Sequence, residues 1–525
     1  MSEFKSAPSR LARLFRASRD KWKEKAIEKQ RKLRALEVKV RDLSGSREYW
    51  KNRAIAAEKG LNQEDGENSS ERKDELELIN SEEEDEEGTE NCQAKNHHYP
   101  VDTVKKTMEL FMKCGISFRG IEKTLELFND LAETKTPSFS CIRKWLGRMG
   151  LYELNREKEY RQDWIFIVDF TLELGKQKAL VVLGVSQQHL TEEIIAEGRG
   201  ISHKDVEILG LEVMNSTAGE NIKKKLDEIS LRVGKPLQIV ADHSSDLARG
   251  IKLYKQENED LTYTHDVTHA MALLLKYELN ADERYQSFTQ KCNYCRQQLQ
   301  QTELDFLSPP AQRSQCRYFN VERLTEWGLR LLKVLKDPLN IWSKLVNNRD
   351  SSMLNKRIID KFGWLVDYQP ELIRWHQMTV LTRRLETQLK KSGINQQSLN
   401  KFQDNKWEFG DSKLSKFHQH ICDYVTTQSA HIQEGKTFLA TSDVIESIFG
   451  KYKRFSTRCP FKEMGQMLLT IGLSTMELTN NVVKNALEEV SFAEVQTWLA
   501  KVFGQSILSK RKTLFLELDG DTETA

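Results

Sequence analysis

Three acidic side chains stand where their spacing and surroundings suggest chemistry. Asp169 lies inside WIFIVDFTLEL, residues 164–174. Alternation along a strand sends Ile165, Ile167 and Asp169 to one face and Trp164, Phe166, Val168 and Phe170 to the other. Both faces are otherwise apolar, as in a strand buried inside a sheet, so an ionised carboxylate there needs a cation to meet it. Asp242 ends a second predicted strand in KPLQIVADHSSDLARGI, and Glu446 sits on a predicted helix in TSDVIESIFGKYKRFS. Taken singly, each acid has a plain structural reading. Asp169 could accept a backbone hydrogen bond, Asp242 could cap a helix starting at His243, and Glu446 could form a capping box with Asp443. Taken together, two carboxylates on adjacent strands and a third on a packing helix can hold two Mg²⁺ ions about 4 Å apart. Hard divalent cations take oxygen ligands and keep some waters, which leaves room for a phosphate. The implied chemistry is metal-assisted phosphoryl transfer.

Such a constellation needs a sheet and a helix packed on it. After Arg161 the pattern turns to strands: WIFIVDFTLEL, then Gly175-Lys176, then KALVVLGVS as its hairpin partner. A helical stretch around Ala218–Arg232 precedes the strand ending at Asp242. LTYTHDVTHAMALLLKYEL is a short strand running into a helix. These segments predict an α/β core with a mixed sheet and flanking helices. From about Lys276 to Lys436 no convincing strand occurs, and amphipathic runs such as LTEWGLRLLKVLK and PELIRWHQMTVLTRRLETQLKK predict an all-helical block. Helices resume with TSDVIESIFGKYKRFS and continue to about Ser506; TLFLELDGDTETA is expected to hold a short strand and a frayed acidic tail.

Upstream lie three segments of different character. From Trp22 to Ala57 a three-four spacing runs through Leu33, Leu36, Val40, Leu43 and Trp50, with Lys29 and Arg47 as weak points. It reads as a coiled-coil seam of about five heptads with a basic face, suited to dimerisation. Residues 64–89 are acidic and nearly free of aromatics, the composition of a disordered linker. Residues 102–150 read as three short helices with a tight turn at Gly115-Ile116-Ser117 and a basic last helix, a helix-turn-helix module. Ser138, Ser140, Arg143, Lys144 and Arg148 would face DNA from that last helix, and Ile142, Trp145, Leu146 and Met149 would face the core.

Composition narrows the class. The chain has 525 residues, too many for one core, with 30% charged residues and a net charge of only +2. No run of eighteen apolar residues occurs and Ser2 to Arg16 lacks the apolar core of a signal peptide, so a soluble, non-secreted protein without membrane association is expected. Eight cysteines without framework spacing fit reduced thiols. Cys292 and Cys295 have only Cys316 as a third thiol, short of the four ligands of structural zinc, so free thiols are the simpler reading. Trp327, Trp342, Trp364 and Trp375 are either core residues of the helical block or stacking platforms for an extruded base. Arg383-Arg384 and Lys390-Lys391 are candidates for a phosphate path.

The order Asp169, Asp242, Glu446 resembles that of DDE-type cut-and-paste DNA transposases, whose triad sits on an RNase H-like fold. In HDVTH, the Asp266/His269 pair resembles the D-x-x-H motif that follows the second acid in many of them. Lys453 lies seven residues beyond Glu446, as a lysine does in several insertion-sequence transposases. That spacing returns Lys453 to the Glu446 face, within reach of DNA phosphate. Leu439 and Ser442 stand where those families carry a tyrosine and an arginine. The long gap from Asp242 to Glu446 matches the helical insertion that splits this fold in some transposases.

The sequence patterns divide the N-terminal part into a basic coiled-coil region (1–60), an acidic disordered linker (61–98) and a helix-turn-helix domain (99–152), and the resemblance covers roughly residues 100–490. It implies an RNase H-like core in two parts (160–275 and 437–506), split by an all-helical insertion (276–436) and followed by a tail (507–525). It further implies that Asp169, Asp242 and Glu446 hold Mg²⁺, with Mn²⁺ as a substitute and no organic cofactor, and that His269 and Asp266 support the site. The partners would be double-stranded DNA, as element terminal repeats and target, and further copies in a homodimer or higher oligomer. The location would be the cytoplasm of a bacterial cell, associated with the nucleoid, or the nucleus of a eukaryotic one. Two rivals share these features: a transposase-derived DNA-binding protein without catalysis, and a structure-specific nuclease of the same fold.

Overall fold

The computed structural model describes residues 93–129, 135–174, 177–302, 304–311, 319–336, 351–404, 409–456, 465–505 and 507–520. The expected coiled coil of residues 22–57, the acidic stretch of residues 64–89, Cys316 and Trp342 lie outside them.

Five strands form one sheet: β1 (Trp164–Leu174), β2 (Gln177–Ser186), β3 (Glu207–Met214), β4 (Pro236–Ala241) and β5 (Thr262–His265), in the spatial order β3-β2-β1-β4-β5. β1 is the middle strand, antiparallel to β2 and parallel to β4, and β4 is parallel to β5. Its two apolar faces follow from that place, because helices cover both sides of the sheet. Ile165 and Ile167 enter one core, and Trp164, Phe166 and Val168 enter the other, as alternation predicts. A mixed five-stranded sheet flanked by helices is compatible with an RNase H-like core.

Strand β3 has no counterpart among the strands expected from sequence. Its register against β2 shifts between Val182 and Leu183, so Gly210 and Ile208 face consecutive β2 residues and Leu209 is the extra residue. Ile208 and Leu211 therefore share a core while Leu209 joins the opposite one. A bulge of this kind breaks the two-residue period that marks a strand in sequence.

Helices α1 (Val101–Met112), α2 (Phe118–Asn129) and α3 (Phe139–Asn155) precede the sheet, close to where the pattern places them. Gly115 makes the turn between the first two with φ 65°. Helices α4 (Gly219–Val233) and α5 (Ser245–Gln256) cover one face of the sheet through Ile222, Leu226, Ile229, Leu247 and Ile251. After β5 the chain enters α6 (Val267–Asn280), α7 (Glu283–Leu299), α8 (Phe319–Lys336), α9 (Ser351–Phe362), α10 (Gln369–Ser392), α11 (Ser398–Gln403) and α12 (Ser412–Ser429). These share a separate core containing Trp375, Phe288, Phe417 and Leu381.

The chain then returns to the sheet as α13 (Asp443–Ser456), followed by α14 (Thr470–Thr475), α15 (Asn480–Glu489), α16 (Phe492–Phe503) and α17 (Ile507–Gly520). The last of these corrects the expected terminal strand. Leu, Lys, Arg and Glu dominate ILSKRKTLFLELDG, and their helical preference outweighs the short alternation in TLFLEL.

The three N-terminal helices do not stand apart from the rest. Residues of α1, α3, α13, α14 and α15 form one core with the Ile165/Ile167 face of the sheet. Gly150 of α3 lets its backbone meet the carbonyl of Leu469, and a Cβ there would overlap that oxygen.

Candidate active site

The parallel pairing of β1 with β4 sets Val168 opposite Ala241. The next residues on the two strands, Asp169 and Asp242, thus emerge side by side where these strands end their pairing. Asp169 points to the same face as Ile165 and Ile167, the face that α13 covers. Its Oδ1 accepts the N–H of Phe170 at 2.7 Å. Asp242 Oδ1 accepts the N–H of Ser244 at 3.2 Å, and α5 begins at Ser245 with Ser244 as its N-cap, so Asp242 steadies the turn before that helix without being its cap.

Burial, and next the like charge of Asp242, push the Asp169 carboxyl up to about 7. The Phe170 amide and the Lys453 ammonium oppose the rise, and Asp266 adds to it. A side chain from α13 thus supplies a cation to the half-buried acid, although too weakly to offset the loss of solvent. A hard cation between Asp169 and Asp242 would remove both the repulsion and the desolvation cost, so the oxygen donor pair fits Mg²⁺. Glu446 is on the first turn of α13 and partly exposed. Among the described residues no three His, Cys, Asp or Glu side chains converge as one metal-binding group, so the triad is not drawn together as a single cage.

Asp266 is the hub that joins the acid-bearing elements. It is fully buried and caps α6 by accepting the N–H of His269 at 2.5 Å. Its other oxygen accepts the Ser442 N–H at 2.5 Å and the hydroxyls of Ser442 at 3.0 Å and Thr441 at 3.3 Å. The Asp266 N–H donates to Ala241 O, beside Asp242, and the Val267 N–H donates to Ala440 O. One carboxylate therefore fastens the end of β4, the start of α6 and the entry into α13. Gln238, fully buried on β4, adds a second fastening: its amide donates to Leu439 O and Thr264 Oγ1 and accepts the Leu439 N–H. Asp443 is tied to Lys390 of α10, and Thr441 Oγ1 accepts its N–H at 3.2 Å.

Three residues of this region carry no mark in the sequence pattern. His243 stacks on His265, with ring centroids 4.0 Å apart and 5° between planes, and Tyr263 lies 5.0 Å from His243. His269 sits 6.3 Å from His265. Burial, then the neighbouring imidazoles of His243 and His269, hold His265 down to about 3, so it is neutral at physiological pH. Both histidines directly neighbour a candidate acid, as Asp242-His243 and His265-Asp266. That adjacency was the available signal.

The residues expected to face DNA divide. Ser138, Ser140 and Lys144 are exposed at the start of α3, where Ser138 caps the helix and Lys144 lies over the Phe492 ring at 5.3 Å. Arg143 is half-buried and bonds to Gln466 at 3.2 Å. Arg148 points inward: its guanidinium donates to the carbonyls of Leu487 and Val490 at the end of α15. α3 packs against α14, α15 and α16, so its exposed polar side chains lie at its two ends.

In the helical block, Trp375 is fully buried and donates to Asp282 at 3.1 Å. Trp364 and Trp327 donate to the carbonyls of Lys361 and Leu307 and pack on the same core. Arg383 pairs with Glu322 and Glu386, and Lys390 with Glu386 and Asp443. Cys292 and Cys295 are buried free thiols whose pKa values burial raises, that of Cys295 to about 11.

No protein-family model matches the chain, and no curated protein matches it. Among solved structures, it is similar to a chain of the "Drosophila P element transposase strand transfer complex", with 10% identity and a TM-score of 0.31, over 76% of this chain and 98% of that one. A likeness of that degree does not assign the chain to a family.

Proposed function

We propose that the protein is a Mg²⁺-dependent DNA transposase of the DDE type. Its RNase H-like core would be split by helices α7–α12, and it would cleave element ends and join the 3′ hydroxyl to target DNA. One observation carries the reading: Asp169 and Asp242 stand side by side on adjacent parallel strands, and burial and mutual repulsion hold Asp169 far above the ordinary carboxylate range. A strained carboxyl pair of this kind favours a functional site over a structural one. Asp169 and Asp242 would hold the cation, with Glu446 contributed by α13. When bound, the metal would activate the attacking oxygen and stabilise the leaving one. Lys453 would neutralise Asp169 in the resting site and hold a DNA phosphate in the working one. Asp266 would fix the spacing of the acids, and His269 would stand beside the scissile phosphate. The exposed start of α3 would contact the terminal repeats, and residues 1–60 would pair two copies.

The test is end cleavage and strand transfer with Mg²⁺ on the inverted repeats flanking the coding region. Asp169→Asn, Asp242→Asn and Glu446→Gln should each abolish both reactions and retain DNA binding, because affinity rests on phosphate contacts elsewhere. Near-normal cleavage by any one variant would remove that residue from the metal set.

A further inference from the structure

Helix α13 has a second functional flank. Ile445, Ile448, Phe449 and Tyr452 are buried against the core, so the exposed stripe runs between two edges. Glu446 and Lys453 mark one edge, and Ser447 and Lys451, four residues apart, mark the other. Against this second edge lies a cavity of about 610 Å³, lined among others by Ser447, Lys451, His203, Lys204 and Met476.

Its polar groups form a chain with a defined direction. The Lys451 ammonium can only donate, so at 3.0 Å it gives a hydrogen bond to His203 Nδ1. The other ring nitrogen then carries the proton and donates to Ser447 Oγ, also at 3.0 Å. Burial and the Lys451 charge hold His203 down to about 4, which keeps the imidazole neutral. Ser447 Oγ is thereby engaged as an acceptor, and its own proton remains available to a further acceptor.

Charge is not balanced here. Among the described residues no carboxylate lies within ion-pair reach of Lys451 or Lys204. Asp443, on the cavity rim, is paired with Lys390, and Lys113 is paired with Glu109. Burial lowers the Lys451 pKa with no acidic group opposing it. Two lysines and a hydroxyl thus line a space whose lining carboxylate, Asp443, is already paired with Lys390, an arrangement suited to binding an oxyanion.

We propose that this cavity is a phosphate site, with Lys451 as its main counter-charge, Lys204 and Ser447 as further donors, and His203 as the residue that orients Lys451. The phosphate belongs to a DNA backbone. Gly450, on the exposed stripe between the two edges, has open space where a side chain would stand. Lys451 and Lys453, on opposite edges, stand only about 3 Å apart along the helix axis. Phosphates of one strand advance by about 3.4 Å per nucleotide, so one strand can touch both edges of α13. This assignment of DNA rests on the transposase reading; the presence of a phosphate site does not.

The test has two arms on the full chain. In the first, sodium phosphate is titrated at constant ionic strength and the melting temperature is followed. Wild type should be stabilised, Lys451→Gln should lose the response, and Lys451→Arg should retain it. In the second, binding of a labelled random-sequence duplex is measured from about 50 to 300 mM salt. Lys451→Gln should lower the slope of log K against log salt by about 1 and weaken binding several-fold, and Lys451→Arg should keep both near wild type. Loss of both responses in Lys451→Gln supports the proposal. Phosphate stabilisation with an unchanged DNA slope would overturn the backbone assignment and leave a site for free phosphate. No phosphate response in wild type would overturn the site itself. Failure of wild type to bind duplex DNA at all would instead count against the transposase reading.

Discussion

Asp169→Asn should stabilise the metal-free protein at pH 8 while destroying its chemistry. The Asp169 carboxyl rises from an ordinary 3.8 to about 7 in the folded chain. In the unfolded chain it loses its proton at the lower value, so the folded state binds the proton more tightly. The stability this gives is complete below pH ~4 and is lost as pH climbs through about 7. A rise of that size corresponds to about 4 kcal/mol, an upper figure because water penetration and relaxation reduce it. The amide cannot ionise, and its oxygen can still accept the Phe170 N–H, so the variant escapes the loss.

For a unit of roughly 430 residues the unfolding entropy is about 0.9 kcal/mol/K, so the gain is about 4 °C in melting temperature at pH 8. The assay is a melt in chelator at half-unit steps from pH 4 to pH 8, followed by Mg²⁺ addition at pH 8. The two proteins should coincide near pH 4, diverge steadily up to about pH 7 and run parallel above it. Mg²⁺ should raise the wild-type melting temperature and leave the variant unmoved. A variant less stable than wild type at pH 8, or a difference independent of pH, would mean that Asp169 is a satisfied structural carboxylate.

Three further outcomes follow from the same geometry. Asp266→Ala should cost roughly 3 kcal/mol, from the lost helix cap and the orphaned Ser442 N–H, and a variant that melts like wild type would show that the hub does not fasten α13. Arg148→Ala should destabilise the fold by about 2 kcal/mol, through the uncapped carbonyls of Leu487 and Val490, while leaving duplex affinity unchanged; weaker DNA binding with an unaltered melt would return Arg148 to the DNA surface. Deleting residues 1–60 should abolish self-association in light scattering, and an unchanged oligomer would exclude that segment as the dimerising element.

What local pattern could encode was legible in the residues alone. The two-sided apolar run around Asp169 named β1 as an interior strand, because only a strand covered on both faces tolerates that composition. The ends of β4 and β5 carried their acids openly, and three-four periodicity marked the long helices of the helical block. Strand β3 escaped because one bulged residue, Leu209, broke its alternation, and α17 was misread because a few alternating residues imitated a strand.

Tertiary structure decided everything that depends on which distant segments meet. The register of Val168 against Ala241 places Asp169 beside Asp242, and no spacing between residues so far apart in sequence encodes a register. Asp266 looked like one half of a short motif, and it became a hub only when the returning chain brought Thr441 and Ser442 to its free oxygen. Arg148 carried the charge expected of a DNA contact, yet α15 folded its carbonyls onto it and turned it inward. The sequence sets the kind of each side chain and its local period, whereas the energy that fixes its partner comes from packing between elements far apart along the chain.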